Sequence, residues 1–293
     1  MGIAWRIESP VQRSRKAIGY ALWLKIAIVT LLVGILYFAV LTDLVNDWWT
    51  EPNLSQGFLI PPFALYVFWL RRKLTFAHPA VPDSRGLWLT GLACFLFVLG
   101  KLGAEFFLPR ISFVILLAGF TWTFWGARRL RTLTFPFLLL ATMVPLPVIV
   151  YNSLAAPLQL FASDVATRLA QLAGVTVYRD GNIIQLAGMS LGVEEACSGL
   201  NSLSALMVAS LLLGFLVCTG LKSRLVLFAL SFPLSVGVNV FRVTATAIIA
   251  DYYPPIALGF YHSFSGWLVF LAGFGVLYGV AKALHILLDR KTV

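Results

Sequence analysis

The sequence predicts an all-α polytopic membrane protein: about eight transmembrane helices in a single integral membrane domain over residues 1–293, both termini cytoplasmic. Apolar residues make up 60% of the chain and charged residues only 12%, with a mean hydropathy of +0.89. Soluble domains carry roughly a quarter charged residues, so this chain has too little polar surface to coat a water-soluble globule. Its apolar residues also fall in long runs divided by short basic clusters, the layout of spans and topogenic loops.

A helix needs about 20 apolar residues to cross the hydrocarbon core. Runs of that kind are expected at roughly 18–42, 57–70, 86–100, 111–127, 132–151, 198–219, 224–250 and 260–281. The second carries Pro61-Pro62. The basic stretch Met1 to Tyr20 leads into the first run without a small-residue cleavage site, so that run reads as a retained span. Between the fifth and sixth runs lies one long segment, 153–196. Leu154, Leu158, Phe161, Val165 and Leu169 fall near helical spacing with polar residues between them, predicting an interfacial helix over Ser153 to Leu172 that Gly174 ends. Val175 to Tyr178, a turn at Arg179-Asp-Gly-Asn182, and Ile183 to Leu186 predict a short β-hairpin before the sixth span.

Charge sets the orientation. Arg13, Arg15 and Lys16, Arg71-Arg72-Lys73, Arg85, Arg128-Arg129 with Arg131, Lys222 with Arg224, and Lys282 with Arg290-Lys291 all fall on one side if the spans alternate. The other side holds only Lys101, Arg110, Arg168 and Arg179. Positively charged loops stay cytoplasmic, so the termini are expected inside and 153–196 outside. The net charge of +10 is thus loop charge, and no nucleic-acid partner is implied. Cys94, Cys197 and Cys218 form neither a disulfide framework nor a metal spacing. No phosphate loop occurs, and neither metal nor cofactor is expected.

In that topology three reactive groups share one depth. Cys197 stands at the outer start of the sixth span, Arg242 about 18 residues into the outward-running seventh, and His262 at the opening of the eighth. They define a three-span catalytic half over 197–281. A helix N-terminus and nearby cations favour the thiolate, the attacking form of cysteine. Histidine accepts and returns protons near neutral pH. Arginine stays charged and steadies an oxyanion or holds a carbonyl. These are the parts of acyl transfer through a thioester. Glu194 and Glu195 beside the thiol would raise its pKa; they orient His262 or Arg242, or bind substrate. Ser198, Asn201 and Asn239 are further supporting candidates, Asn239 lying one turn before Arg242 on the same face. Cys94 and Cys218 read as small hydrophobes.

Glu195-Ala-Cys-Ser-Gly-Leu200 with Ser202, then Asn239-Val-Phe-Arg-Val-Thr-Ala-Thr-Ala-Ile248, then His262 with Gly266-Trp267, resemble in order and spacing the exosortase/archaeosortase family of membrane-embedded protein-sorting enzymes. Ser55-Gln-Gly-Phe-Leu-Ile60 is similar to that family's early motif, with Gln56 where the family generally has His. The resemblance implies Cys197 as nucleophile, Arg242 as stabiliser of the substrate carbonyl or transition state, and His262 as acid/base. It also implies protein substrates with a C-terminal sorting signal of the PEP-CTERM kind: a short motif, an apolar helix and a basic tail. Membrane lipid is the other expected partner. Oligomeric state is not legible, nor is hydrolysis separable from transfer. The rival readings are a transporter, with Arg242 and Asn239 lining a path, and a structural component of an envelope or polysaccharide export system.

Overall fold

The computed structural model describes residues 10–77, 79–193, 200–256 and 262–289, with side chains described at 27–51, 54–77, 79–193, 202–255 and 264–289. It is mostly helical. In order come α1 (Pro10–Thr50), a 3-10 helix (Pro52–Leu59), α2 (Ile60–Phe76), α3 (Gly86–Leu102), α4 (Phe107–Trp125), α5 (Ala127–Thr132), α6 (Thr134–Ala141) and α7 (Val148–Leu172). A small sheet follows, β1 (Val177–Asp180), β2 (Ile183–Leu186) and β3 (Ser190–Gly192). Then come α8 (Leu200–Leu216), α9 (Leu221–Tyr252), the short α10 (Pro254–Ile256) and α11 (His262–Leu284), which ends in a π-helical turn (His285–Asp289).

Five helices among the described residues are long and apolar enough to cross a membrane: Ala27–Thr50 within α1, α4, α7, α9, and Phe264–Asp289 of α11 and its last turn. Gly86–Leu102 and Ser202–Leu216 are shorter apolar helices. The helices turn out to be bounded by proline and glycine. Pro61 and Pro62 open α2 instead of interrupting it, because the first helical turn needs no proline N–H. Gly126, at φ +90°, separates α4 from α5, and a side chain there would run into the Val81 carbonyl.

One expectation is corrected and a second extended. The run 132–151 is not one helix: α6 stops at Ala141, and Thr142, Met143 and Val144 close it with bonds to Leu139, Leu140 and Ala141. Pro145 and Pro147 supply no backbone N–H and bias the residues before them away from helix, so the chain restarts at Val148. The helix expected from Ser153 therefore begins five residues earlier and has 25 residues. The second is an extension: the expected hairpin forms as β1 and β2, and β3 adds a third antiparallel strand, in the order β1-β2-β3. Asp180 pairs with Ile183, leaving Gly181-Asn182 as a two-residue loop. Gly181 takes φ +61°, which only glycine adopts at no steric cost.

Contacts sort the helix ends into two poles. At one, Arg71 of α2 donates to the Thr132 carbonyl at 2.9 Å and lies 4.8 Å from the Phe215 ring of α8. Arg224 of α9 stands 5.9 Å from that same ring and donates to the Cys218 carbonyl. Asp289 closes this pole by accepting from the Thr219 N–H and the Ser223 hydroxyl, capping the start of α9. At the other pole, buried Arg110 of α4 pairs with Asp47 of α1 at 2.6 Å, and the Trp48 indole donates to the Met143 carbonyl. Arg110, expected in an outer loop, is 6% exposed because that carboxylate neutralises it. Gly57 lies flat against the Trp48 ring, with no room for a Cβ.

Both halves of α7 pack at this second pole. Ala155 meets Leu203 near the start of α8, while Ala166 and Ala170 meet Val243, Ala247 and Ala250 in the last third of α9. The same cluster takes in Val175, Val177, Ile184, Leu186 and Val193, so the sheet is sealed onto α7 and α9 by apolar contact. Ser163 and Gln171 of α7 add hydrogen bonds to the Gly181 and Val177 carbonyls.

Candidate functional site

Arg242 is in the last third of α9, one turn past Asn239 and one turn before Thr246. An arginine in an apolar helix is costly without a partner. Its Nε donates to the Ser265 hydroxyl of α11 at 3.1 Å. Thr246 bonds back to the Arg242 carbonyl at 2.8 Å, which satisfies its hydroxyl within the helix. Asn239 is 2% exposed. Polar groups thus line one stripe of α9 and meet α11 within its first turn.

Ser265 stands three residues after His262, the first residue of α11, so the two occupy one face of that helix a turn apart. The side chain of His262 lies outside the described residues. So do Glu194, Glu195, Cys197 and Ser198 entirely, and the side chain of Asn201. What is described is the frame on each side of that block. Val193, the last residue before it, is 3% exposed and packs in the cluster with Val243. Its backbone is clamped by Asn182: Val193 N–H donates to the Asn182 carbonyl at 2.9 Å, and the Asn182 amide donates to the Val193 carbonyl at 3.2 Å. Beyond the block, α8 begins at Leu200, and Leu203 is buried against Ala155.

A small cavity of about 50 Å³ opens between the sheet and α9. Leu191, Gly192 and Val193 form one wall; Arg242, Val243 and Thr246 form the other. Arg242 therefore borders the strand that leads into the Cys197 block on one side and the first turn of α11 on the other. The structure brings Arg242 beside Val193, the residue before the Cys197 block, and beside Ser265, three residues after His262.

Three contacts were not legible in the sequence. Ser265 could have been suspected from its spacing to His262, but serine in an apolar helix gives no signal by type. Asn182 stood out only as a turn residue, whereas it also anchors Val193. Gln56, which stands where the related motif has histidine, donates through its amide to the Ser204 hydroxyl of α8 at 2.7 Å. That ties the 3-10 helix to the first turn or two of α8, seven residues after Cys197 in sequence. The unused cysteines are elsewhere: Cys94 is exposed on α3, and Cys218 is buried at the opposite pole. Burial pushes the Cys218 thiol pKa up, and nearby Asp289 adds to this.

The chain matches the family model described as transmembrane exosortase (Exosortase_EpsH) over residues 48–279. No curated protein and no solved structure matches it. The matched span starts at Trp48, takes in the 3-10 helix with Gln56, and runs through the Cys197 block, Arg242 and most of α11. Spanning well over half of its length, that match means that the chain belongs to the transmembrane exosortase family.

Proposed function

We propose that this protein is a membrane-embedded cysteine transpeptidase. It cleaves C-terminal sorting signals of the PEP-CTERM kind on secreted proteins, at the outer face of the cytoplasmic membrane. Membership in the exosortase family implies a membrane protein-sorting transpeptidase; the residues and steps below are our reading. The Cys197 sulfur attacks the scissile carbonyl. His262 takes the thiol proton and delivers it to the departing amine, so that the C–N bond breaks and the apolar helix with its basic tail leaves. Arg242 donates to the oxygen as negative charge develops on it. The thioester is then resolved by an amine or by water. Glu194, Glu195, Ser198, Asn201 and Asn239 orient these groups or contact the signal motif.

The observation that carries the reading is the Arg242–Ser265 hydrogen bond. It draws the guanidinium to the first turn of α11, one turn from His262, while Val193 on the opposite wall leads directly into the Cys197 block. The distribution of charge supports the orientation. Arg71, Arg129 and Arg224 gather at one pole and Arg242 approaches the other, which agrees with a cytoplasmic basic pole and an external site. The contacts of α7 support a place at the outer surface, since both of its halves pack against outer helix ends. In this topology residues 153–196 remain external and 197–281 form the catalytic half of one membrane domain.

The test is cleavage of a tagged, signal-bearing substrate by purified protein in lipid. Cys197→Ala is expected to abolish release of the helix-plus-tail fragment while leaving substrate binding intact. Cleavage at the wild-type rate by Cys197→Ala would end the proposal.

A further inference from the structure

A roomier cavity lies away from Arg242, which does not line it. It is a cleft of about 330 Å³ between α2 and α6, floored by α4 and α5. Ala64, Leu65 and Phe68 line one side and Phe137 and Leu140 the other. Its polar contributors are Thr75, Thr121 and Arg129; Thr75 and Arg129 stand with Phe76 and Trp125 at one end. The guanidinium of Arg129 lies 5.2 Å from the Phe76 ring, at the basic pole.

A slot this apolar does not hold ordered water, which needs two to four polar partners. Along α2 it extends from Pro61 to Phe76, about 22 Å at roughly 1.5 Å per residue. One leaflet of hydrocarbon is about half of a ~30 Å core, so a single acyl chain covers about two-thirds of that length. The lining is apolar along that length, which suits a hydrocarbon chain.

Charge says which headgroup sits above it. Arg71, Arg72 and Lys73 end α2, and Arg128, Arg129 and Arg131 form α5. The nearby carboxylate of Asp83 already accepts from the Arg85 N–H and the Trp122 indole. Guanidinium groups recognise phosphate oxygens in a two-pronged geometry, and basic pockets between membrane helices are suited to anionic headgroups. We propose that the α2–α6 cleft is a binding site for an anionic phospholipid, one acyl chain in the slot and its phosphate on the Arg129 face of the basic pole.

Native mass spectrometry of the full-length protein, purified from an equimolar phosphatidylglycerol and phosphatidylethanolamine mixture, tests this. Both lipids carry the phosphate, but only phosphatidylglycerol brings a net negative charge to the basic cluster, so the wild type is expected to retain it over phosphatidylethanolamine by about tenfold. Arg129→Gln should bring the two lipids to near parity. Leu65→Trp, which fills the slot without touching charge, should reduce retention of both. Arg168→Gln at the other pole should leave the preference unchanged. Equal retention of both lipids by the wild type overturns the proposal without need of any variant. So does an unchanged preference in Arg129→Gln, or retention of a hydrophobic signal peptide in place of lipid.

Discussion

A guanidinium inside an apolar helix has to find a partner, and Arg242 finds one across the helix interface in the Ser265 hydroxyl. The bond fixes Nε against α11; in the proposed mechanism the terminal nitrogens of the fork serve the substrate carbonyl. Lysine keeps the charge but has no second prong and no planar fork. Arg242→Lys should therefore lower kcat/KM for signal cleavage by roughly a hundredfold or more, the loss seen when one preorganised oxyanion donor goes. Ser265→Ala should lower kcat about tenfold with KM and melting temperature nearly unchanged, and Ser265→Thr should restore it. A kcat unaltered in Ser265→Ala would remove the serine from its positioning role. Cys197, Arg242 and His262 stand out in the sequence because each is a costly or reactive residue type in or beside an apolar run. Ser265 does not, since a serine in an apolar helix gives no sign of which neighbouring helix it meets, and only packing brings Arg242 to it.

At the scale of elements, hydrophobic runs marked where helices lie but not where they break. Pro145-Leu-Pro147 divides one apolar run into α6 and α7 because neither proline can donate. Asp-Gly correctly marked a tight turn, but the pairing of β3 with β2 is a tertiary matter that the spacing did not show. Asp83 gives this scale its test. In the loop between α2 and α3, its carboxylate accepts from the Arg85 N–H and then the Trp122 indole, and these bonds hold its pKa below the usual carboxylate range. A depressed folded pKa means stabilisation that is present above the ordinary value of about 4 and is lost as pH falls through the folded one. Tryptophan fluorescence followed from about pH 6 to about pH 2 should show a transition below about pH 4 in the wild type. Asp83→Asn keeps an acceptor but cannot titrate, so that transition should vanish; identical profiles would refute the link.

For the whole molecule, the poles carry the argument. The basic pole is stitched by Arg71, Arg224 and Asp289, and the other by Asp47–Arg110 and Trp48. Side assignment follows from positive charge remaining cytoplasmic and is checked with single cysteines in a background free of the native ones. A membrane-impermeant maleimide added to intact cells should label Tyr178→Cys, on the exposed edge of the sheet, and spare Lys73→Cys at the end of α2. The reverse pattern would invert the topology and put the Arg242 site inside.

Composition and order alone determined that this chain lives in lipid, that its basic clusters alternate with apolar runs, and that one cysteine, one arginine and one histidine fall in or beside three successive apolar runs. Those are local properties, set by the cost of charge in hydrocarbon and by helix length. Tertiary structure decided the rest: which hydroxyl holds Arg242, that Asn182 anchors the strand leading into the Cys197 block, that Asp47 neutralises Arg110, and that α2 and α6 leave an apolar cleft between them. Each of these joins residues distant in sequence, and in a lipid solvent such partners are chosen by packing and hydrogen bonding, which periodicity and charge do not record.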